Sequence, residues 1–188
     1  MEFRLGGTYF SISFGFFAVL GLYMLFDREG AGLPAICAVA LHEGGHILAM
    51  YLVGAQIVSM RFYPFGVRLE KRGILTYGKE TAVYLGGVAA NALCLLIAVP
   101  LYGWNQFAVV NAALILFNLL PVGRLDGGQL LRLLLCRMNS LSRAEALQKW
   151  IGFVVLTPLF AISFVLLPQG NYTLLFTAVY LAVTLLRG

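Results

Sequence analysis

His42 and His46 are the only two histidines in the chain, and Glu43 stands beside the first. Residues four apart on an α-helix share a face, one turn apart and about 40° around the axis. Two imidazoles so placed can hold one metal ion. A carboxylate next to the first can hold water at that ion and take its proton. This is the physical content of the His-Glu-x-x-His pattern of zinc hydrolases. Both intervening residues are glycine, Gly44 and Gly45, which weakens the helix and invites close approach by a neighbouring helix or a substrate. The flanking sequence is apolar. An ionisable group inside a spanning segment costs about 2.5–3.5 kcal/mol on insertion scales and marks a functional site. No Lys or Arg occurs in the nearby apolar segments to pair with Glu43.

A catalytic zinc takes three protein ligands and keeps one position open. No third histidine exists. Of the 8 acidic residues, Glu2, Asp27, Glu29, Glu70, Glu80 and Glu145 fall at the termini or in loops, and Glu43 has the base role. Asp126 remains, in Leu125-Asp126-Gly127-Gly128. Alone it reads as a turn residue before two glycines; elimination makes it the third ligand. Cys37, Cys94 and Cys136 stand singly in apolar runs at no ligand spacing and read as small packing residues.

These residues need elements to hold them. The chain is 61% hydrophobic and 11% charged, against about 25% charged in a soluble domain. Its solvent is therefore largely lipid. A spanning helix takes about 20 apolar residues. The expected fold is an all-α polytopic membrane protein, one domain over 1–188, with six transmembrane helices. The spans fall at 9–26, 33–53, 81–101, 107–135 broken near 121–128, 151–167 and 172–186. The first is too long for the core of a cleavable signal. The break is tolerated at membrane depth only where it faces protein or a cavity. With six spans, every Lys and Arg except Arg28 falls on one side. That places both termini, the two long loops and the opening of the site toward the cytosol. The net charge of +5 follows topology, forms no single cluster, and argues against nucleic acid.

Residues 55–78 carry aromatic and β-branched residues around Pro64, Gly66 and Gly73. They read as a small β-hairpin at the membrane surface, between helices two and three. Val58, Phe65 and Val67 are candidates for strand pairing with an extended substrate. Ser142 and Glu145 have capping-box spacing, which predicts an interfacial helix leading to the fifth span. Asn91 and Asn118 sit in apolar helices. Either interhelical hydrogen bonding or contact with substrate backbone or a developing oxyanion fits them.

Taken together, these residues resemble the site-2 protease family of intramembrane zinc metalloproteases. His42–His46 corresponds to one family motif and Leu125-Asp126-Gly127 to another, two spans later. Asn118 and Pro121 match the Asn-x-x-Pro lead-in, and Gly87 and Asn91 match a Gly-x-x-x-Asn element. Val88 and Arg124 stand where proline is common in the family. The arrangement looks like the sporulation branch, here without a PDZ or CBS domain. The resemblance implies one Zn2+ per chain on His42, His46 and Asp126, with Glu43 as catalytic base. It implies hydrolysis of a peptide bond in or near a transmembrane segment of a membrane-associated protein, in the manner of sporulation sigma-factor processing. Partners would be that substrate, membrane regulatory proteins and the lipid bilayer, in a bacterial cell membrane. The alternatives are a non-proteolytic zinc-binding membrane protein, which has no need of Glu43, and a transporter, for which no inverted repeat speaks.

Overall fold

Long apolar helices form because backbone polar groups facing lipid must be satisfied within the segment. The computed structural model describes residues 1–5, 7–27, 30–63, 66–169 and 172–187. In chain order they form β1 (Glu2–Leu5), β2 (Thr8–Ile12), α1 (Phe14–Phe26), α2 (Gly32–Leu52), β3 (Gln56–Tyr63) and β4 (Gly66–Arg72). There follow α3 (Tyr77–Tyr102), α4 (Gln106–Asn118), α5 (Asp126–Met138), α6 (Leu141–Leu166), a 3₁₀ turn (Leu167–Gln169) and α7 (Thr173–Arg187). Among the described residues three helices, α2, α3 and α6, are long and apolar enough to cross a membrane; α4 and α7 are apolar but shorter. The chain divides into two compact units, Met1–Ile115 and Leu116–Gly188.

In the first unit, four strands form a sheet in the order β1-β2-β3-β4. β1 and β2 are antiparallel, β2 and β3 parallel, and β3 and β4 antiparallel. The expected hairpin is therefore present, joined by an N-terminal one, and the fold is mostly helical rather than all-α. Residues 9–12, expected at the start of the first span, belong to β2 instead. Ser13 then caps α1, its side chain accepting from the Phe16 amide at 3.2 Å. The 13 residues of α1 reach about 20 Å at 1.5 Å per residue. Val58 lies on β3, an interior strand, at the irregularity between Ile57 and Ser59. Val67 lies on β4, an outer strand, and its backbone partner is Phe62. Phe65 and Arg28 lie outside the described residues. Lys71 of β4 pairs with Glu80 of α3 at 2.5 Å, half-buried, which ties the sheet to the first turn of that helix.

In the second unit, Val122, Leu156, Leu181 and Leu185 form the core, so α6 and α7 pack around the connection between α4 and α5. That break ends sooner than expected, because α5 already starts at Asp126. α6 runs unbroken for 26 residues, with Ser140 at its N-cap and Ser142 inside the helix. The capping box expected at Ser142 is therefore absent, and one helix takes the place of an interfacial helix followed by a span.

Candidate active site

The geometry begins with spacing. Ala38, His42, His46 and Met50 are the buried face of α2, each four residues from the last. Val83, Gly87 and Asn91 are buried on α3 at the same interval. His42 meets Asn91, and His46 meets Val83, so the helices run antiparallel. Glycine sets their separation. A Cβ on Gly86 would lie 2.6 Å from the Gly45 carbonyl oxygen, and a Cβ on Gly45 would collide with the Gly86 carbonyl oxygen. Gly45 is thus required by backbone contact. Gly44 has open space around it.

Both imidazoles are buried, with His42 5% and His46 8% exposed. The His46 Nδ1–H donates to the Val83 carbonyl at 2.8 Å. His42 Nδ1 meets Asn91 Oδ1 at 2.6 Å. The direction of that bond follows from the other end of the amide. Asn91 Nδ2 donates to the Ala38 carbonyl at 3.0 Å and to Asn111 Oδ1 at 2.7 Å. A carbonyl can only accept, so the amide cannot be reversed and His42 Nδ1 must carry the proton. Each ring then presents an Nε2 lone pair, and the two Nε2 atoms lie 3.2 Å apart. Two nitrogens on one tetrahedral zinc, at about 2.0–2.1 Å each, sit about 3.3 Å from one another.

Gly87 supplies the space beside them. A Cβ there would lie 2.5 Å from His46 Nε2 and 2.7 Å from His42 Nε2. The absent side chain leaves room against the very atoms that would bind an ion, so the residues present fit a zinc ion. Glu43 follows His42 on α2 and is half-buried.

The second unit carries Asp126 as the half-buried first residue of α5. Its surroundings are built from bare backbone. A Cβ on Gly127 would strike the Leu119 carbonyl, and one on Gly128 would lie 2.5 Å from the Gly123 carbonyl oxygen. Gly123 has φ +53°, which favours glycine. Gln148 of α6 is buried and donates from Nε2 to the Gly123 carbonyl at 3.2 Å and to the Gly128 carbonyl at 2.9 Å. It clamps the chain on both sides of Asp126. Replacing Gln148 with Leu should lower stability by about 1–3 kcal/mol, read as a fall in Tm in detergent. An unchanged Tm would refute the clamp. Asn118 ends α4, half-buried.

Asn91 therefore makes interhelical hydrogen bonds, one of the two roles open to it from sequence, and one of its partners is His42. Asn111 and Gln148 were not expected at all. The signal for Asn111 was an amide placed in an apolar helix, whereas Gln148 stands among the charged residues that open α6 and gave none.

The sequence model described as Peptidase family M50 matches residues 75–162. Stage IV sporulation protein FB of Bacillus subtilis is 30% identical over 140 residues, covering 69% of this chain and 48% of that protein. The chain thus spans about half the length of this curated relative. Among solved structures, the site-2 protease from Methanocaldococcus jannaschii superposes with a TM-score of 0.70 at 19% identity. That match covers 100% of this chain and 94% of the other, and it establishes a shared fold. With the paired histidines described above, these matches show that the chain carries a region of peptidase family M50 over residues 75–162, on a fold shared with a site-2 protease.

Proposed function

We propose that this chain is an intramembrane zinc metallopeptidase. It hydrolyses a peptide bond in or near the transmembrane segment of a membrane-associated protein. The observation that carries the reading is the pair of Nε2 atoms 3.2 Å apart, with Glu43 one residue from His42 on the same helix. His42, His46 and Asp126 hold the ion; two imidazoles and one carboxylate are a donor set that catalytic zinc accepts. Bound there, zinc supplies Lewis acidity toward water and toward a carbonyl oxygen. Glu43 takes the proton of the attacking water and delivers it to the leaving amine. A retained base distinguishes a peptidase from a protein that only stores metal.

The six-span topology, with termini and site opening toward the cytosol of a bacterial cell, belongs to the same reading. It is supported by the distribution of Lys and Arg. The sheet then lies at the membrane surface. A substrate helix hides its carbonyls in hydrogen bonds and must unwind before it is cut. An extended segment pairing with an outer strand would be held open, and β4, with Val67, is such a strand. The 30% identity to a stage IV sporulation protein supports a substrate of the sporulation class, such as a sigma-factor precursor.

Asp126→Ala tests the ligand set. Loss of groups that merely orient zinc ligands costs about 10–100-fold in affinity, so loss of a ligand should cost at least about 100-fold. Competition with a chromophoric chelator on the purified protein reads this directly. Wild-type zinc affinity in Asp126→Ala would remove Asp126 from the site.

A further inference from the structure

Asn111 lies on α4, one amide removed from the His42–Asn91 bond, and it is fully buried at 0% exposure. No motif of the sequence includes it. Its Nδ2 donates to the Phe107 carbonyl at 2.8 Å, one turn back on its own helix. Its Oδ1 accepts from Asn91 Nδ2 at 2.7 Å. Because the Phe107 carbonyl can only accept, the Asn111 amide has one permitted orientation, with Oδ1 toward Asn91. Asn91 must then offer Nδ2 to it and turn Oδ1 to His42. His42 must in turn donate from Nδ1, which leaves the Nε2 lone pair outward. The chain Phe107 carbonyl, Asn111, Asn91, His42 therefore runs in one direction, fixed at its far end by a backbone atom. The Ala38 carbonyl supports the same Asn91 orientation from α2.

We infer that Asn111 is a positioning residue for the metal centre: it locks the Asn91 amide and through it the tautomer and ring orientation of His42. The inference rests on the zinc site proposed above, and it assigns α4 a part in holding a ligand that α2 carries. The partners of a metal-bound imidazole fix its tautomer and raise its basicity, and their loss costs about 10–100-fold in metal affinity. A packing role alone would make a different demand. It would need volume at position 111 and not an acceptor atom.

Two variants separate these roles. Asn111→Leu keeps the volume and removes both polar groups. Asn111→Asp is isosteric, and its neutral carboxyl offers one O–H for Phe107 and one acceptor for Asn91. The expected result is a zinc dissociation constant raised about 10–100-fold in Asn111→Leu and restored to within a few-fold of wild type in Asn111→Asp. The visible bands of the Co2+-loaded protein should shift in the first variant and return in the second. Equal zinc affinity and equal Co2+ spectra in wild type and Asn111→Leu would overturn the inference, as would equal losses in both variants. Where Asn111→Leu does not fold, ¹⁵N-histidine NMR of the zinc-free wild type and Asn111→Asp still decides. With only two histidines in the chain, the spectrum has two rings to assign. Both should be Nδ1–H when neutral, and an Nε2–H tautomer at His42 would overturn the inference. A wild-type protein that takes up no zinc would contradict the metal site itself, and the tautomer measurement would still judge the relay.

Discussion

Glu43→Gln should retain zinc at wild-type affinity and lose cleavage, with kcat falling about 10²–10⁴-fold, the range general acid–base catalysis contributes. The substitution is isosteric and leaves His42 and His46 untouched. The Gln amide cannot take a proton from water at neutral pH, so the step that needs a base fails while the ion stays bound. The metal measurement makes the kinetic one informative. A variant that lost both zinc and cleavage would make Glu43 a structural or ligating residue. A variant that kept both would deny it the base role.

Gly87→Ala should damage the metal centre from the opposite side. The added methyl would lie 2.5 Å from His46 Nε2 and 2.6 Å from His42 Cε1. Neither ring can swing away easily, because each Nδ1 is held, by Val83 and by Asn91. Withdrawal of α3 would open the close backbone contact between Gly45 and Gly86 and lose its packing. Overpacking of this kind costs about 1–3 kcal/mol. Felt at the ligands, that is about a 10–100-fold loss of zinc affinity. Gly44→Ala is the control. It adds the same methyl to the zinc-binding helix where nothing lies within 4 Å, and helix propensity favours Ala there by about 1 kcal/mol. Its zinc affinity should be unchanged. Equal affinities for Gly87→Ala and wild type would mean that the ion does not sit at the Nε2 pair.

Much of the site was legible because helical periodicity is a local property. A spacing of four puts His42 and His46 on one face whatever surrounds them, and the structure adds only what holds each ring. Asp126 was singled out by another route, since the ligand rules and a short inventory of acids leave one candidate; its place as third ligand is the proposal that Asp126→Ala tests. The second histidine partner, the Val83 carbonyl, could not be read, because a backbone atom carries no sequence signature. Asn111 and Gln148 escaped for a related reason. An amide in an apolar helix, such as Asn111, announces that a partner exists, but that partner lies 20 residues away; Gln148 stands among the charged residues that open α6, and its farther partner lies 25 residues away.

The fold shows the same division. α2, α3 and the run that became α6 declared themselves by length and hydropathy. The strand Thr8–Ile12 did not, because Tyr9, Phe10 and Ile12, separated from the apolar α1 only by the small residues Ser11 and Ser13, extend its apolar run. What makes it a strand is parallel pairing with β3, with Tyr9 opposite Ser59 and Ile12 opposite Phe62. That pairing spans 50 residues of chain, beyond the reach of any local pattern. The β3–β4 pairing joins strands that are near in sequence, with Tyr63 opposite Gly66, and it lies within the segment 55–78 that carried the strand pattern.

The central claim, hydrolysis of a peptide bond within the bilayer by this zinc site, is tested most directly by the bond that is cut. Purified protein and a single-span substrate, reconstituted together in H₂¹⁸O, would be followed by mass spectrometry. The expected products are two fragments that meet inside or at the edge of the apolar segment, with one ¹⁸O in the new carboxylate. They should form with the zinc-loaded wild type and be absent with Glu43→Gln or after chelation. Substrate left intact by the zinc-loaded wild type across a panel of such segments, or the same fragments from Glu43→Gln, would contradict it.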